Sequence, residues 1–162
     1  VIDEKKHIEQ CGFCVVDGEP LKIVIDAKKS GFEGTELAKT LRTQGVQCEF
    51  SDPDFLVLMA TPENRGVDFE RLKTAFDTVM SREPLDGGVE PVRVSEIVLS
   101  LRQAVLSPCE TVCIDDAIGR ICASPTVACP PAVPIVISGE RITEAHVRAM
   151  KYYGHKTIEV VK

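Results

Sequence analysis

Residues 129–140 read CPPAVPIVISGE, and this stretch constrains the fold more than any other. Its three prolines fix φ and remove backbone N–H donors, and they push the residues before them towards extended backbone. The β-branched apolar run at 133–137 predicts a strand. A Ser-Gly turn follows and carries Glu140. A stiff extended segment that ends in a carboxylate is more typical of a site wall than of a generic core.

Composition indicates one ordinary globular domain or two small lobes. The chain has 162 residues, of which 44% are hydrophobic and 27% are charged, as in most folded proteins. The formal net charge of −6 argues against a general nucleic-acid surface, because such a surface needs clustered Lys and Arg. No apolar run approaches the ~20 residues that span a bilayer. We therefore expect neither a nucleic-acid nor a membrane partner.

Cysteine usage predicts a cytoplasmic protein with free thiols, because the count of seven is odd and the chain is large enough to form a core. Cys11 and Cys14 form a CxxC pair, but strand-forming and turn-forming residues follow it. No second CxxC completes a zinc ribbon. Cys109 and Cys113 lead into a strand. We expect buried thiols without redox or metal chemistry, and redox activity or metal binding is the minor alternative.

Hydrophobic periodicity predicts an α+β fold of two small lobes, each a small sheet with helices packed on one face. The first lobe covers residues 1–83 and the second covers residues 84–162, with the linker EPLDGG at 83–88 between their periodic segments. Gly45 fits the position just after a helix. In the first lobe, strands are expected at 21–26, 46–50 and 55–60, and helices at 35–44 and 67–80.

The second lobe is expected to begin with a helix at Pro91, whose apolar stripe includes Val94, Ile97, Leu101 and Val105. A helical turn is predicted at 115–120 and a second helix at 143–153. Strands are predicted at 111–114, 121–128, 133–137 and 157–161.

The second lobe resembles the C-terminal domain of the bacterial ornithine/lysine/arginine decarboxylases, which depend on pyridoxal phosphate. The first lobe is similar to the segment that precedes this domain in the shorter, Gram-positive-type members. In the first lobe the resemblance rests on PLKI (residues 20–23) and GFEGTEL (residues 31–37). In the second it rests on Val112, Ala117, Gly119-Arg120, Pro130-Pro131, Pro134 and Gly139-Glu140, which follow the family order A-x-G-R, P-P-G-x-P and P-G-E.

Three positions depart from the family pattern. Ala132 replaces the Gly of P-P-G, Ser138 replaces the Pro of P-G-E, and Cys129 replaces the aromatic residue that commonly precedes the two prolines. These residues bear on substrate preference, because pocket shape is what discriminates amino acids that differ by one methylene.

The resemblance implies that the parent enzyme removes carbon dioxide from arginine, lysine or ornithine and so supplies polyamine precursors. In that family pyridoxal phosphate is bound to the lysine of a Ser-x-His-Lys motif, in a large domain that precedes the first lobe. Tyr153 stands where that motif needs Ser before His155 and Lys156. We therefore predict an exposed Lys156, no catalytic or cofactor-binding residue in this chain, and an inactive fragment that requires the remainder of a homo-oligomeric parent.

The resemblance implies that this chain covers the active-site cleft of the parent enzyme and supports its dimer contacts. Cys129, Glu140 and Arg141 are the substrate-pocket candidates, because a carboxylate such as Glu140 can accept hydrogen bonds from a cationic substrate. The alternative for Glu140 is a solvated turn at a helix start. The alternative for the whole chain is a free-standing binding or regulatory module without catalysis.

Two further side chains carry structural expectations. Arg120 is expected to pair with Asp115 or Asp116, which lie in the same predicted turn. His146 is expected to be a half-exposed residue of the last helix.

Overall fold

The computed structural model describes residues 1–125 and 133–162. The chain divides into two compact units, Val1–Gly87 and Gly88–Lys162. Each unit contains a small antiparallel sheet with helices, so the predicted α+β class in two lobes is confirmed. Within the described residues, every helix is too short or too polar to cross a membrane.

The first lobe is a four-stranded antiparallel sheet with the strand order β1-β2-β4-β3. Its elements are α1 (Ile2–Gln10), β1 (Cys14–Val16), β2 (Lys22–Asp26), α2 (Gly34–Thr43), β3 (Phe50–Ser51), β4 (Phe55–Met59) and α3 (Gly66–Thr78).

One face of this sheet carries the core of the first lobe. Ile23 lies opposite Leu58, and Ile25 lies opposite Leu56, so these four buried side chains share a face because strand residues alternate between the two faces. Buried residues of the three helices complete the core, and among them Phe76 packs edge-on against Phe13 with ring centroids 5.0 Å apart.

The helix α2 ends as its sequence predicts. Gly45 has a φ of +78°, its N–H donates to the carbonyl of Arg42, and the N–H of Val46 donates to the carbonyl of Leu41. This pair of bonds is a Schellman motif. Gly154 ends the last helix in the same way.

Two elements of the first lobe differ from the sequence expectation. The helix α1 was not expected, because Ile8 is its one buried apolar residue and a single residue makes no hydrophobic stripe. The strand expected at 46–50 is reduced to β3, Phe50–Ser51. The N–H of Val46 already donates to the carbonyl of Leu41 at the end of α2, so pairing with the sheet begins further along the chain.

The second lobe is a three-stranded antiparallel sheet with the order β5-β7-β6. Its elements are α4 (Leu101–Leu106), β5 (Cys109–Cys113), a 3₁₀ turn (Ile114–Ala117), β6 (Cys122–Ser124), α5 (Glu144–Tyr152) and β7 (Thr157–Val161). Buried Ile142, Met150, Ile158 and Val160 lie in one core cluster between the sheet and α5.

The helix expected from Pro91 is wrong in its first part, since the helix begins only at Leu101. The backbone N–H groups of Val98 and Leu99 donate to the carbonyl of Gly139 at 2.8 and 3.2 Å. They are therefore not available for bonds to the preceding helical turn. Ser100 then caps α4 by accepting a hydrogen bond from the backbone N–H of Gln103, so the tertiary contact overrides the local periodicity.

The strand expected at 133–137 is also wrong, because these residues form no strand. Val136 is buried in the core of the second lobe, while the N–H of Ile137 donates to the side chain of Glu140 at 2.8 Å. A side chain thus takes the backbone donor that a sheet ladder would need. The extended segment predicted at 121–128 is confirmed for its described part, which contains β6.

Candidate functional site

The candidate site is the loop at residues 137–141, which leads from the proline-rich segment towards α5. Glu140 is only 3% exposed. Its Oε1 accepts a hydrogen bond from the N–H of Ser95 at 3.0 Å, and its Oε2 accepts one from the N–H of Ile137 at 2.8 Å. The alternative of a solvated turn is therefore wrong, since the carboxylate joins two backbone segments.

Gly139 sits at the centre of this loop and has a φ of +95°. Its N–H donates to the carbonyl of Cys122 at 2.8 Å, and its own carbonyl accepts from Val98 and Leu99. A Cβ at Gly139 would overlap the carbonyl oxygen of Leu99. The close approach of these two backbones therefore requires glycine.

Arg141 links this loop to the Gly119-Arg120 motif. Its Nε donates to Oε2 of Glu96 at 2.8 Å, and its Nη1 donates to the carbonyl of Gly119 at 2.9 Å. The Gly119-Arg120 and Gly139-Glu140 motifs, twenty residues apart in the sequence, are thus brought together. The guanidinium remains partly exposed.

Ser95 and Glu96 are the partners that sequence reasoning missed. Besides the bond from its N–H to Glu140, Ser95 donates its hydroxyl to the carbonyl of Arg141 at 2.7 Å. Both residues lie about 45 positions away from their partners. No local spacing marks such contacts, and the expected helix at this point hid them.

Arg120 has a different partner from the expected one. Its Nη2 donates to Oε1 of Glu110 at 2.7 Å and to the carbonyl of Val161 at 2.9 Å. This hydrogen bond holds the pKa of Glu110 below its ordinary value. Asp115 instead pairs with Lys151 of α5. Arg120 therefore ties β5 to the end of β7, which is a structural role.

His146 is fully enclosed rather than half-exposed, at 1% exposure. Its Nδ1 accepts the N–H of Thr143 at 3.0 Å, so the neutral ring carries its proton on Nε2. Among the described residues this buried Nε2 finds no hydrogen-bond partner. Burial lowers the pKa of His146, and the nearby Glu140 opposes that shift.

We expect the free energy of unfolding of the second lobe to fall as the pH drops below about 6.5, the ordinary pKa of an exposed histidine. The unfolded state then takes up a proton that the buried ring resists, so the unfolded state binds more protons. Above that pH the contribution of His146 is constant.

Unfolding followed by hydrogen exchange of second-lobe peptides between pH 5 and pH 7 measures this effect. The variant His146→Asn should have a flatter profile, because its side-chain oxygen still accepts the N–H of Thr143 but does not titrate. The control His155→Asn changes a histidine of the α5–β7 turn and should keep the slope. Equal slopes in wild type and His146→Asn would contradict the expectation.

Cys129 lies outside the described residues. Among the described thiols, burial raises the pKa of Cys48 and of Cys122 to about 11. Burial and the neighbouring Asp77 raise the pKa of Cys11. A redox thiol needs a lowered pKa, so these thiols lack that property.

The lysines do not fit a pyridoxal phosphate site. Every lysine of the chain lies among the described residues, and each is at least partly exposed. Lys156 is exposed on the turn between α5 and β7. A lysine that reacts as a neutral amine is desolvated in an apolar pocket, unlike these lysines. We therefore derive no chemical step through this cofactor.

The first lobe has a shallow cleft of about 240 Å³ between the α2–β3 connection and α3. Its lining includes the polar residues Gln47, Asp68 and Arg71 and the buried apolar residues Leu58 and Leu72. The predicted pocket residues all belong to the second lobe, so this cleft does not coincide with them.

Large apolar side chains around α4 are exposed, and we call this set the α4 surface. It consists of Val94, Ile97, Leu101, Val105 and Leu106, each between 58% and 76% exposed. Most of these residues were expected to form the buried stripe of a helix. Contiguous exposed apolar patches often mark interaction surfaces, and these residues are neighbours along one segment of the chain.

Residues 86–157 match the family model described as Orn/Lys/Arg decarboxylase, C-terminal domain. The second lobe matches this family model over most of its length. The matched residues contain the whole bonded loop around Glu140. The resemblance noted in the sequence is confirmed, and its glycine motifs are backbone contact points in the folded lobe.

Curated relatives extend the similarity over most of the chain. The arginine decarboxylase of Bacillus subtilis (strain 168) is 31% identical over 136 residues, which are 80% of this chain and 28% of the relative. The arginine decarboxylase of Bacillus anthracis is 30% identical over 133 residues, which are 78% of this chain and 27% of the relative. The chain therefore spans less than a third of the length of these relatives.

Two solved structures share the fold. The lysine decarboxylase of Francisella novicida has a TM-score of 0.69 at 14% identity, over 99% of this chain and 39% of that chain. The constitutive lysine decarboxylase of E. coli has a TM-score of 0.62 at 15% identity, over 89% of this chain and 32% of that chain. At such low identity the similarity concerns the fold alone.

Proposed function

We propose that this chain is the C-terminal part of a decarboxylase that acts on arginine, lysine or ornithine. The match of residues 86–157 to the decarboxylase C-terminal domain carries the proposal. The relatives' length supports it, because the chain covers 28% of the Bacillus subtilis arginine decarboxylase. The remaining part of such a protein provides the reaction centre, and the product is the corresponding amine.

We further propose that the parent enzyme uses pyridoxal phosphate, bound outside this chain, and that the chain alone is inactive. The partial exposure of every lysine supports this division. When bound, the cofactor serves as an electron sink for the carbanion formed on loss of carbon dioxide. The free thiols of the described cysteines favour a cytoplasmic location.

In this proposal the second lobe covers the cleft of the parent enzyme and supports its homo-oligomeric assembly. The α4 surface is suited to such contacts, because its side chains are 58–76% exposed and fully burying a wholly exposed side chain of this size gains roughly 1.5–3 kcal/mol. A charged or polar face would not provide that gain. The partner of this surface is the large cofactor domain of the parent or of a second subunit.

The loop at residues 137–141 forms part of the pocket wall in this proposal, together with Cys129. Glu140 acts as a positioning residue, because both of its carboxylate oxygens already accept backbone N–H groups. Arg141 keeps part of its guanidinium exposed and is the charged side chain of this loop that can face a neighbouring domain.

We expect no internal aldimine when pyridoxal phosphate is added to the purified chain. Absorbance spectra followed by borohydride reduction and peptide mass spectrometry measure this. Lys156→Ala tests whether the lysine of the His155-Lys156 pair reacts with the cofactor, and its spectra should be the same as those of the wild type. A single lysine modified stoichiometrically at low cofactor concentration would contradict the proposed division of labour.

A charged double substitution on the α4 surface separates assembly from folding. Leu101→Glu with Val105→Glu should change the stability of the isolated chain by no more than ~0.5 kcal/mol, because both side chains are exposed. In the full-length enzyme it should reduce oligomer formation and carbon dioxide release from the basic amino acids. Light scattering and a decarboxylation assay measure the two effects. Arg148→Glu, an exposed position on α5 outside this surface, is the control and should leave both unchanged.

A free-standing binding or regulatory module remains the second candidate function, and the exposed α4 surface also suits that role. The coding sequence upstream of Val1 discriminates the two. A long preceding segment with a Ser-x-His-Lys motif supports the enzyme, whereas a start codon immediately before Val1 supports the module.

A further inference from the structure

Three potential metal ligands meet where α1 packs against α3 in the first lobe. They are His7 and Cys11, at the C-terminal end of α1, and Asp77, near the end of α3. The Nε2 atom of His7 lies 2.8 Å from Oδ1 of Asp77, and the Sγ atom of Cys11 lies 3.6 Å from the same oxygen. All three ligand atoms lie within 4.8 Å of one another.

The backbone places these side chains together. His7 and Cys11 are four residues apart, so they project from the same side of α1. Their neighbours in the sequence anchor the two helices, because Ile8 and Phe76 are both fully buried in the core of the first lobe. The ligand atoms are therefore held by packed helices, while Asp77 itself is exposed and open to an incoming ion.

The two distances to Asp77 are close to those around a tetrahedral transition-metal ion. Zinc bonds of about 2.0–2.3 Å to nitrogen, oxygen and sulfur place neighbouring ligand atoms roughly 3.3–3.8 Å apart. The Cys11–Asp77 separation already lies in that range. The His7–Asp77 pair needs to open by about half an ångström, which a side-chain rotation provides.

The ligand types select the kind of metal. An imidazole nitrogen, a thiolate sulfur and a carboxylate oxygen together suit zinc or cobalt. Magnesium and calcium prefer oxygen ligands alone. Thiolate and carboxylate carry two negative charges, which balance the charge of a divalent ion. Three protein ligands leave the fourth position of the tetrahedron to water.

We propose that His7, Cys11 and Asp77 form a binding site for one zinc ion, which links α1 to α3. The CxxC pair noted in the sequence is not the basis of this site, because Cys14 does not belong to the cluster. Cys11 loses its proton when it binds the ion, and that proton passes to solvent. The proposal concerns the first lobe alone and does not depend on the decarboxylase assignment.

Cobalt titration of the reduced, metal-free chain tests the site, because cobalt gives absorption bands that report on tetrahedral geometry and on thiolate bonding. We expect one cobalt ion to bind per chain and to give both the absorption bands of tetrahedral cobalt and a thiolate charge-transfer band. Both sets of bands should disappear when zinc is added. Cys11→Ser should abolish the charge-transfer band. His7→Ala and Asp77→Asn should each weaken binding at least about tenfold, since each removes one of three protein ligands.

Cys14→Ser is the matched control, since it removes a nearby thiol outside the cluster and should leave the titration unchanged. Circular dichroism confirms that each variant is folded. Zinc should also raise the melting temperature of wild type and Cys14→Ser, because a ligand bound to the native state stabilises it, but should not raise that of Cys11→Ser. Absence of a stoichiometric cobalt signal, or a signal that survives Cys11→Ser, would overturn the proposal.

Discussion

Gly139→Ala is expected to lower the free energy of unfolding of the second lobe by about 3–5 kcal/mol. The backbone at this position has a φ of +95°, which costs a non-glycine residue roughly 1–3 kcal/mol. The added Cβ would also overlap the carbonyl oxygen of Leu99. Relief of this overlap moves Leu99 and weakens the two bonds to the carbonyl of Gly139, at about 1 kcal/mol each.

The size of this effect matters because a domain of roughly 75 residues has only about 4–11 kcal/mol of stability in total. Hydrogen exchange of second-lobe peptides in increasing urea measures the loss. Gly119→Ala is the matched control, because its φ of +82° is similar but a Cβ there meets no atom within 4 Å. That control should lose only about 1–2 kcal/mol. Equal losses at the two glycines would show that the Leu99 contact is unimportant.

Glu140→Ala is expected to cost about 2–5 kcal/mol. The substitution leaves the N–H groups of Ser95 and Ile137 without their carboxylate acceptor. A buried donor without a partner costs about 1–3 kcal/mol, and because these two bonds are only partly buried their total stays below the upper end of that range for two donors. Glu140→Gln keeps one acceptor oxygen but turns an amide NH₂ towards the other donor, so it should lose roughly half as much.

The same hydrogen-exchange measurement applies, and amides at 95–99 and 137–141 should lose protection first. Glu96→Gln is the control, because Glu96 is largely exposed where it pairs with Arg141, and exposed pairs contribute about 1 kcal/mol or less. If Glu140→Ala were no more destabilising than Glu96→Gln, the buried carboxylate would not hold the loop.

Local sequence signals predicted the elements that depend on local physics. The β-branched apolar run at 21–26 became β2, and the apolar run at 55–60 became β4. Gly45 ended α2 through a positive φ that other residues rarely adopt. The helix predicted at 143–153, from Thr143 near its start and Gly154 after its end, became α5, and the Thr143 side chain caps it by accepting a hydrogen bond from the backbone N–H of His146. Each of these features needs only a few neighbouring residues.

The candidate site depended on the tertiary structure. Proximity in sequence pointed to Asp115 or Asp116 as the partner of Arg120, whereas the folded lobe uses Glu110. The residues that bond to Glu140 and Arg141 lie about 45 positions earlier. They come from a segment whose apolar spacing indicates a helix, but the helix forms only from Leu101 onward.

The sequence by itself determined the resemblance to the decarboxylase C-terminal domain, the α+β class and the existence of two lobes, because motif order and hydrophobic period are written along the chain. Only the tertiary structure decided that Glu140 and His146 are buried, that the α4 surface is exposed, and that His7, Cys11 and Asp77 meet. Burial and contact between distant segments arise from how whole elements pack, and no spacing of residues along one segment encodes that packing.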